Sequence, residues 1–187
     1  MVRAAVSHRA DVNFVDQTDR LGTGHAMQQV ASRLQNDSRL VIMLGDCPLI
    51  CPSTLRKLCE TPADLAILTV EMTDPLGYGR ILRSDEGQVR AIVEEKDADI
   101  AEKGIKEINT GVMAADAGAL KHWLSLLTDD NTQKEYLLTD VVLHANAAGF
   151  SVQAWKTDDQ MEVSGVNTFV QLAELERALQ NNQVKEL

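Results

Sequence analysis

The chain has 187 residues, 44% of them hydrophobic and 25% charged, the balance of an ordinary globular domain with a buried core. Its formal net charge of −10 and pI of about 4.8 exclude electrostatic capture of nucleic acid or anionic lipid. No apolar run reaches the length of a membrane span. The opening residues lack the apolar core of a secretion signal, and the cysteines Cys47, Cys51 and Cys59 are odd in number, so a cytoplasmic chain with reduced thiols is expected. A zinc site on Cys-x3-Cys is the sharper alternative, weakened by the lack of a nearby histidine.

Strand-like and helix-like patterns alternate throughout, which predicts one α/β domain spanning 1–187. A short strand is expected at 12–15, followed by the turn Leu21-Gly22-Thr23-Gly24-His25. Met27, Val30, Ala31 and Leu34 then fall at helical spacing. The run Leu40-Val41-Ile42-Met43-Leu44 predicts a strand buried on both faces, stopping at Gly45-Asp46. Pro52 opens a short helix, and 64–72 predicts a second buried strand. A turn-rich loop at 74–79 leads into a hairpin, with strands at 81–83 and 88–94 around Asp85-Glu86-Gly87. Further strands are expected at 109–115 and 150–155, and helices at 118–127, 137–147 and 168–184. Trp123 and Trp155 sit in apolar elements and are expected in the core.

Asp46 follows a buried strand and a glycine, at the carboxyl end of the sheet where α/β folds collect ligands. A carboxylate there suits a hard cation, although Asp also simply ends strands and starts turns. The Gly22-Thr23-Gly24 turn offers backbone N–H groups to carbonyl or phosphate oxygens; the plainer reading is a helix start capped by Gly22 or Thr23. His25 has no visible carboxylate or nucleophile partner and reads as a packed or solvent-facing histidine. Glu94 can point inward to accept from sugar hydroxyls, whereas Glu95 and Asp97 read as a solvated turn. Asn109 and Asn167 are either turn formers or ligand-binding amides.

Taken together, these pieces carry more than any one alone. Gln17, Leu21-Gly22-Thr23-Gly24-His25-Ala26, Gly45-Asp46-Cys47-Pro48-Leu49, Gly77-Tyr78-Gly79-Arg80-Ile81, Ile92-Val93-Glu94-Glu95-Lys96-Asp97, Glu107-Ile108-Asn109-Thr110-Gly111 and Gly165-Val166-Asn167 follow one another in order. The set resembles the uridyltransferase domain of the bacterial bifunctional enzyme that acetylates glucosamine-1-phosphate and then makes UDP-N-acetylglucosamine. The resemblance implies a three-layer α/β sandwich with a mixed, mostly parallel sheet. It implies that Gln17, Gly22 and Thr23 recognise uracil, and that Asp46 and Asn167 are the catalytic ligands of Mg2+. By the same resemblance Gly45 belongs to the substrate site, Gly79, Glu94 and Asn109 hold N-acetylglucosamine, and Glu135 and Thr139 line the sugar end. The implied partners are UTP, N-acetylglucosamine-1-phosphate and UDP-N-acetylglucosamine, in the supply of peptidoglycan and lipopolysaccharide precursors.

The sequence also departs from that pattern. The family's Leu-Ala-Ala-Gly-x-Gly-Thr-Arg-Met loop, which grips the triphosphate, and its β-helix acetyltransferase half do not occur in these residues. Leu44 stands for a usual Tyr, Lys134 for Gly and Leu137 for a second Tyr. The expectation is impaired turnover, altered contacts on the sugar side, and an exposed sheet edge repaired by rearrangement, by a homo-oligomer or by another segment. The alternatives are a non-catalytic UDP-sugar-binding remnant, a truncated domain with no independent function, or a relative that uses another nucleotide or sugar.

Overall fold

The structure, a computed structural model, describes residues 2–185. After a short helix α1 (Val2–Ala5), the chain forms α2 (Thr23–Ala31), β1 (Arg39–Ile42), α3 (Pro52–Glu60), β2 (Leu65–Glu71), β3 (Arg80–Arg83) and β4 (Val89–Val93). There follow α4 (Ile100–Lys103), β5 (Glu107–Asp116), α5 (Ala117–Ser125), a 3-10 turn at Leu138–Asp140, α6 (Val141–Ala147), β6 (Val152–Thr157) and α7 (Phe169–Lys185).

The strands make one sheet in the order β4-β3-β5-β2-β6, with β1 also paired to β5. It is mixed, as expected, but the balance is corrected. Only β2 and β6 pair in parallel; β1–β5, β2–β5, β3–β4 and β3–β5 are antiparallel. The cause is β5, which runs against each of its neighbours. Its two sides are used differently: β2 follows one side, while β3 and β1 share the other, at Ile108 and at 113–116.

Two cores flank the sheet. On β2, Leu65 and Ile67 join Leu120, Trp123, Val141 and Val142 under α5 and α6, while Ala66, Leu68 and Val70 join Leu58 of α3 and Val163. That is the two-residue period of a strand covered on both faces. Trp123 is fully buried, edge-on to Phe150 at 5.3 Å. Trp155 is only partly buried, packed on the α3 side with the Lys57 ammonium 5.0 Å from its ring.

Two expectations fail at the other end of the sheet. Residues 12–15 form no strand, and β1 is not buried on both faces: Val41, Met43 and Leu44 remain 37%, 41% and 42% exposed. A strand is defined by its partner as much as by its residues, and β1 pairs among the described residues with β5 alone. No helix among the described residues is long and apolar enough to cross a membrane.

Candidate functional site

The site begins on β5. Alternation directs positions 109, 111 and 113 to the face opposite Ile108 and Val112, and Asn109, Gly111 and Met113 all line one cavity of about 200 Å³. Gly111 has φ 78°, and a Cβ there would lie 2.7 Å from Leu44 Cδ1, so glycine both permits the bend and admits the leucine. The Asn109 backbone N–H donates to the Gly79 carbonyl at 2.8 Å, and its Oδ1 accepts from Gly111 N at 3.1 Å, which leaves the Asn109 amide N–H groups for the cavity.

Glu94 enters from the end of β4. Its Oε1 accepts from the Thr139 hydroxyl at 3.0 Å, and both carboxylate oxygens lie within 3.5 Å of where a Cβ on Gly79 would sit. Burial pushes the Glu94 carboxyl above the usual range; the Thr139 hydrogen bond opposes this, and Asp140 and Asp97 add to it. Gly79, Glu94, Asn109 and Thr139 thus converge on one cavity, with Thr23 also lining it. Glu135 does not line it; its Cβ lies against Gly22 instead. Larger depressions of about 620 and 890 Å³ run along the β3–β4 hairpin, and none of the motif residues above lines them.

The loop before β3 is held from beneath. Arg80 is buried, donates to the Tyr78 carbonyl and reaches Glu95 Oε2 at 2.5 Å, and that oxygen also accepts from Gly77 N. Glu95 is therefore not the solvated turn residue expected, because a buried guanidinium requires a carboxylate there. Asp97 is exposed, as expected, and accepts from Thr132 N at 2.9 Å.

The glycine motif ahead of α2 is docked on the segment before α6. Gly24 N donates to the Tyr136 carbonyl, Tyr136 N to the Leu21 carbonyl, and Leu138 N to Thr23 Oγ1 at 3.0 Å. Gly22 is the N-cap residue and makes no side-chain cap. Its φ is 107°, and a Cβ would meet Tyr136 O at 2.5 Å. Gln17 Nε2 donates to the Gly22 carbonyl and lies 3.1 Å from His25 Nδ1, so His25 has amide partners the sequence did not reveal.

Asp46 and Asn167 are brought together across the Gly45–Cys47 turn. Asp46 O accepts from Val166 N at 2.9 Å, and the loop is tied down again where Cys51 N donates to the buried Glu162. A Cβ on Gly165 would sit 3.1 Å from Asp46 Oδ2 and 3.9 Å from Asn167 Nδ2, so glycine keeps a small space open between them. Asp46 makes no ion pair among the described residues. Gly45 is open, with nothing within 4 Å of where a Cβ would sit. Cys47 and Cys59 are free thiols; burial, then the charge of Asp46, pushes the Cys47 thiol up. Among the described residues no three His, Cys, Asp or Glu side chains converge to hold a metal.

Sequence reasoning did not single out Met113 or Leu138 as cavity residues. The two-residue step from Asn109 through Gly111 would have found Met113; nothing local marks Leu138, which is placed by its bond to Thr23.

No protein-family model matches the sequence. The chain is 46% identical over 179 residues to the bifunctional protein GlmU of Idiomarina loihiensis, covering 95% of this chain and 39% of that protein. It is 49% identical over 179 residues to GlmU of Paracidovorax citrulli, covering 95% of this chain and 38% of that one. It therefore spans about two fifths of the length of these curated relatives. Among solved structures, a UDP-glucose pyrophosphorylase complexed with UDP-glucose superposes with TM-score 0.67 at 13% identity, covering 97% of this chain and 72% of that one. HddC from Yersinia pseudotuberculosis complexed with GMP-PN gives 0.59 at 18%, covering 94% and 72%. The structural likenesses speak for the fold, a mixed α/β sheet, and the sequence identity for likeness to the GlmU proteins over about two fifths of their length.

Proposed function

We propose that this site binds UDP-N-acetylglucosamine and serves uridyl transfer between UTP and N-acetylglucosamine-1-phosphate. The observation that carries the reading is the convergence of Gly79, Glu94, Asn109 and Thr139 on one cavity, with Thr23 of the nucleotide-end motif on its lining. Glu94 and the Asn109 amide supply an acceptor and a donor for sugar hydroxyl and acetamido groups. Leu44, Met113 and Leu138 supply an apolar wall. Gln17, Gly22 and Thr23 form the nucleotide end.

Asp46 and Asn167 fit Mg2+: the Asp46 carboxylate borders a space that a Cβ at Gly165 would fill, and the Asn167 amide, whose Nδ2 faces that space, would supply its oxygen once turned about its last bond. Bound there, the ion would neutralise phosphate charge. In the transfer, a phosphate oxygen of N-acetylglucosamine-1-phosphate bonds to the α-phosphorus of UTP as the bond to pyrophosphate breaks in line. No protein base is required, so the residues act by positioning. A second copy covering the outer edge of β1 belongs to the same reading, and a monomer at every concentration in sedimentation would remove it.

Pyrophosphate release with Mg2+, UTP and N-acetylglucosamine-1-phosphate, beside an Asp46→Ala control, tests the chemistry. Calorimetry with UDP-N-acetylglucosamine tests the site. Saturable binding weakened by Glu94→Ala is expected; no binding with Mg2+ present would sink the proposal.

A further inference from the structure

His25 carries no role in the reading above, yet its ring is held between two amides. Nδ1 lies 3.1 Å from Gln17 Nε2, and Nε2 lies 3.0 Å from Gln29 Nε2. Each amide nitrogen has a second acceptor. Gln17 Nε2 donates to the Gly22 carbonyl at 3.0 Å, and Gln29 Nε2 to the His25 carbonyl at 3.1 Å. Tyr136 flanks the imidazole, with ring centroids 6.2 Å apart.

An imidazole keeps at least one N–H, so it cannot accept from both amides. One amide must turn its oxygen to the ring. Turning Gln29 gives up a bond to a carbonyl inside α2, where the helix ladder already supplies a donor. Turning Gln17 would untie the irregular segment ahead of α2 from Gly22, whose placement fixes the whole motif. Gln29 is therefore the one that turns. His25 then carries its proton on Nε2 and accepts at Nδ1 from Gln17. Both hydrogens of Gln17 Nε2 are committed, to Gly22 and to His25. The amide oxygen, which makes no hydrogen bond among the described residues, is all that Gln17 can offer a ligand.

We infer that His25 is a positioning residue that fixes the Gln17 amide with its oxygen outward, so that the nucleotide end selects a base presenting a ring N–H. Uracil has such a group at N3. Cytosine, a ring of the same size, has a lone pair there and would face the amide oxygen with no proton between them. The inference rests on the assignment of Gln17 to the base in the proposed function, and its test separates the two.

The first measurement needs no nucleotide. Nitrogen-15 NMR of the ring at neutral pH in the free protein should find the proton on Nε2 and an accepting Nδ1. A proton on Nδ1 overturns the inference whatever the site binds. The second is calorimetry with UDP and with CDP in the presence of Mg2+. The unaltered chain should prefer UDP by about tenfold. His25→Asn, whose Oδ1 can take the place of Nδ1, should keep that preference, whereas His25→Leu should reduce it to about twofold or less. An undiminished preference in His25→Leu overturns the inference and leaves the uridine site standing. An unaltered chain that binds neither nucleotide overturns both.

Discussion

The two ends of this site, proposed above to take the sugar and the nucleotide, are built from different materials. Gly79, Glu94 and Asn109 stand on or directly beside paired strands, and Asn109 and Gly79 are joined by a backbone hydrogen bond. Gln17, Gly22, Asp46 and Asn167 stand on irregular segments whose positions come from contacts with other irregular segments, as where Gly22 lies against Tyr136 and Asp46 against Val166. A sheet sets geometry through a repeating ladder; docked loops set it one fit at a time. The nucleotide end should therefore fail through backbone changes and the sugar end through changes of side-chain chemistry.

The sharpest way to break that contrast is Gly22→Ala. It combines a φ of 107° with a Cβ 2.5 Å from the Tyr136 carbonyl oxygen. Strain and overpacking together should cost about 3 kcal/mol, read as a lower urea midpoint. A loss below about 1 kcal/mol would mean the segment carrying Tyr136 yields easily, contrary to the docked-loop picture.

At the sugar end, Glu94→Gln should weaken UDP-N-acetylglucosamine by about tenfold to a hundredfold, the worth of a charged hydrogen bond, while leaving UDP nearly unchanged. Equal losses for both ligands would mean Glu94 supports the fold of the whole site. The same substitution separates function from stability. Because burial raises the Glu94 carboxyl, the fold favours its protonated form, and stability is lost as pH rises from the ordinary carboxylate range through the raised value. At neutral pH Glu94→Gln should therefore melt slightly higher. Binding runs the opposite way, because the charged form is the better acceptor. Affinity should decline as pH falls through the raised value, and the Gln variant should show no such slope.

The smallest effect is expected at Lys134, a non-glycine residue at φ 54°. Asn131 shapes this turn, its Oδ1 accepting from Gln133 N and Glu135 N. Lys134→Gly should stabilise by about 0.5–1 kcal/mol with ligand affinity unchanged. Destabilisation would show that the lysine side chain, which lies 3.7 Å from Asp130, contributes more than exposure suggests.

The same contrast explains what could be read from the chain. Strand β2 is visible because residues buried on two faces leave a nearly unbroken apolar run. The segment 12–15 has the composition of a strand, but composition does not supply a partner. Glu94 and Asn109 were marked by their position at and within strands. The partners of His25 were invisible because hydrogen bonding of two glutamine side chains leaves no periodic trace. The left-handed turn at Lys134 is equally unmarked, since lysine has no preference for that conformation. Leu44 shows the limit most clearly: as a residue it reads as core, and only the bend at Gly111 makes it part of the cavity.

That central strand β5 also dictates the order in which the chain can assemble. The β3–β4 hairpin is local and needs only a tight turn, whereas β1 meets β5 with Arg39 and Asp116 77 residues apart, and Asp64 at the start of β2 meets Ser151 beside β6 across 87 residues. Contacts of such separation are slow to form because the intervening loop must close first. During synthesis the apolar faces of β2 must wait for most of the chain to emerge, while the hairpin that carries Glu94 can already be in place. The part of the molecule proposed to hold the sugar should thus be the oldest structure in each newly made chain, and the parallel edge at β6 the youngest.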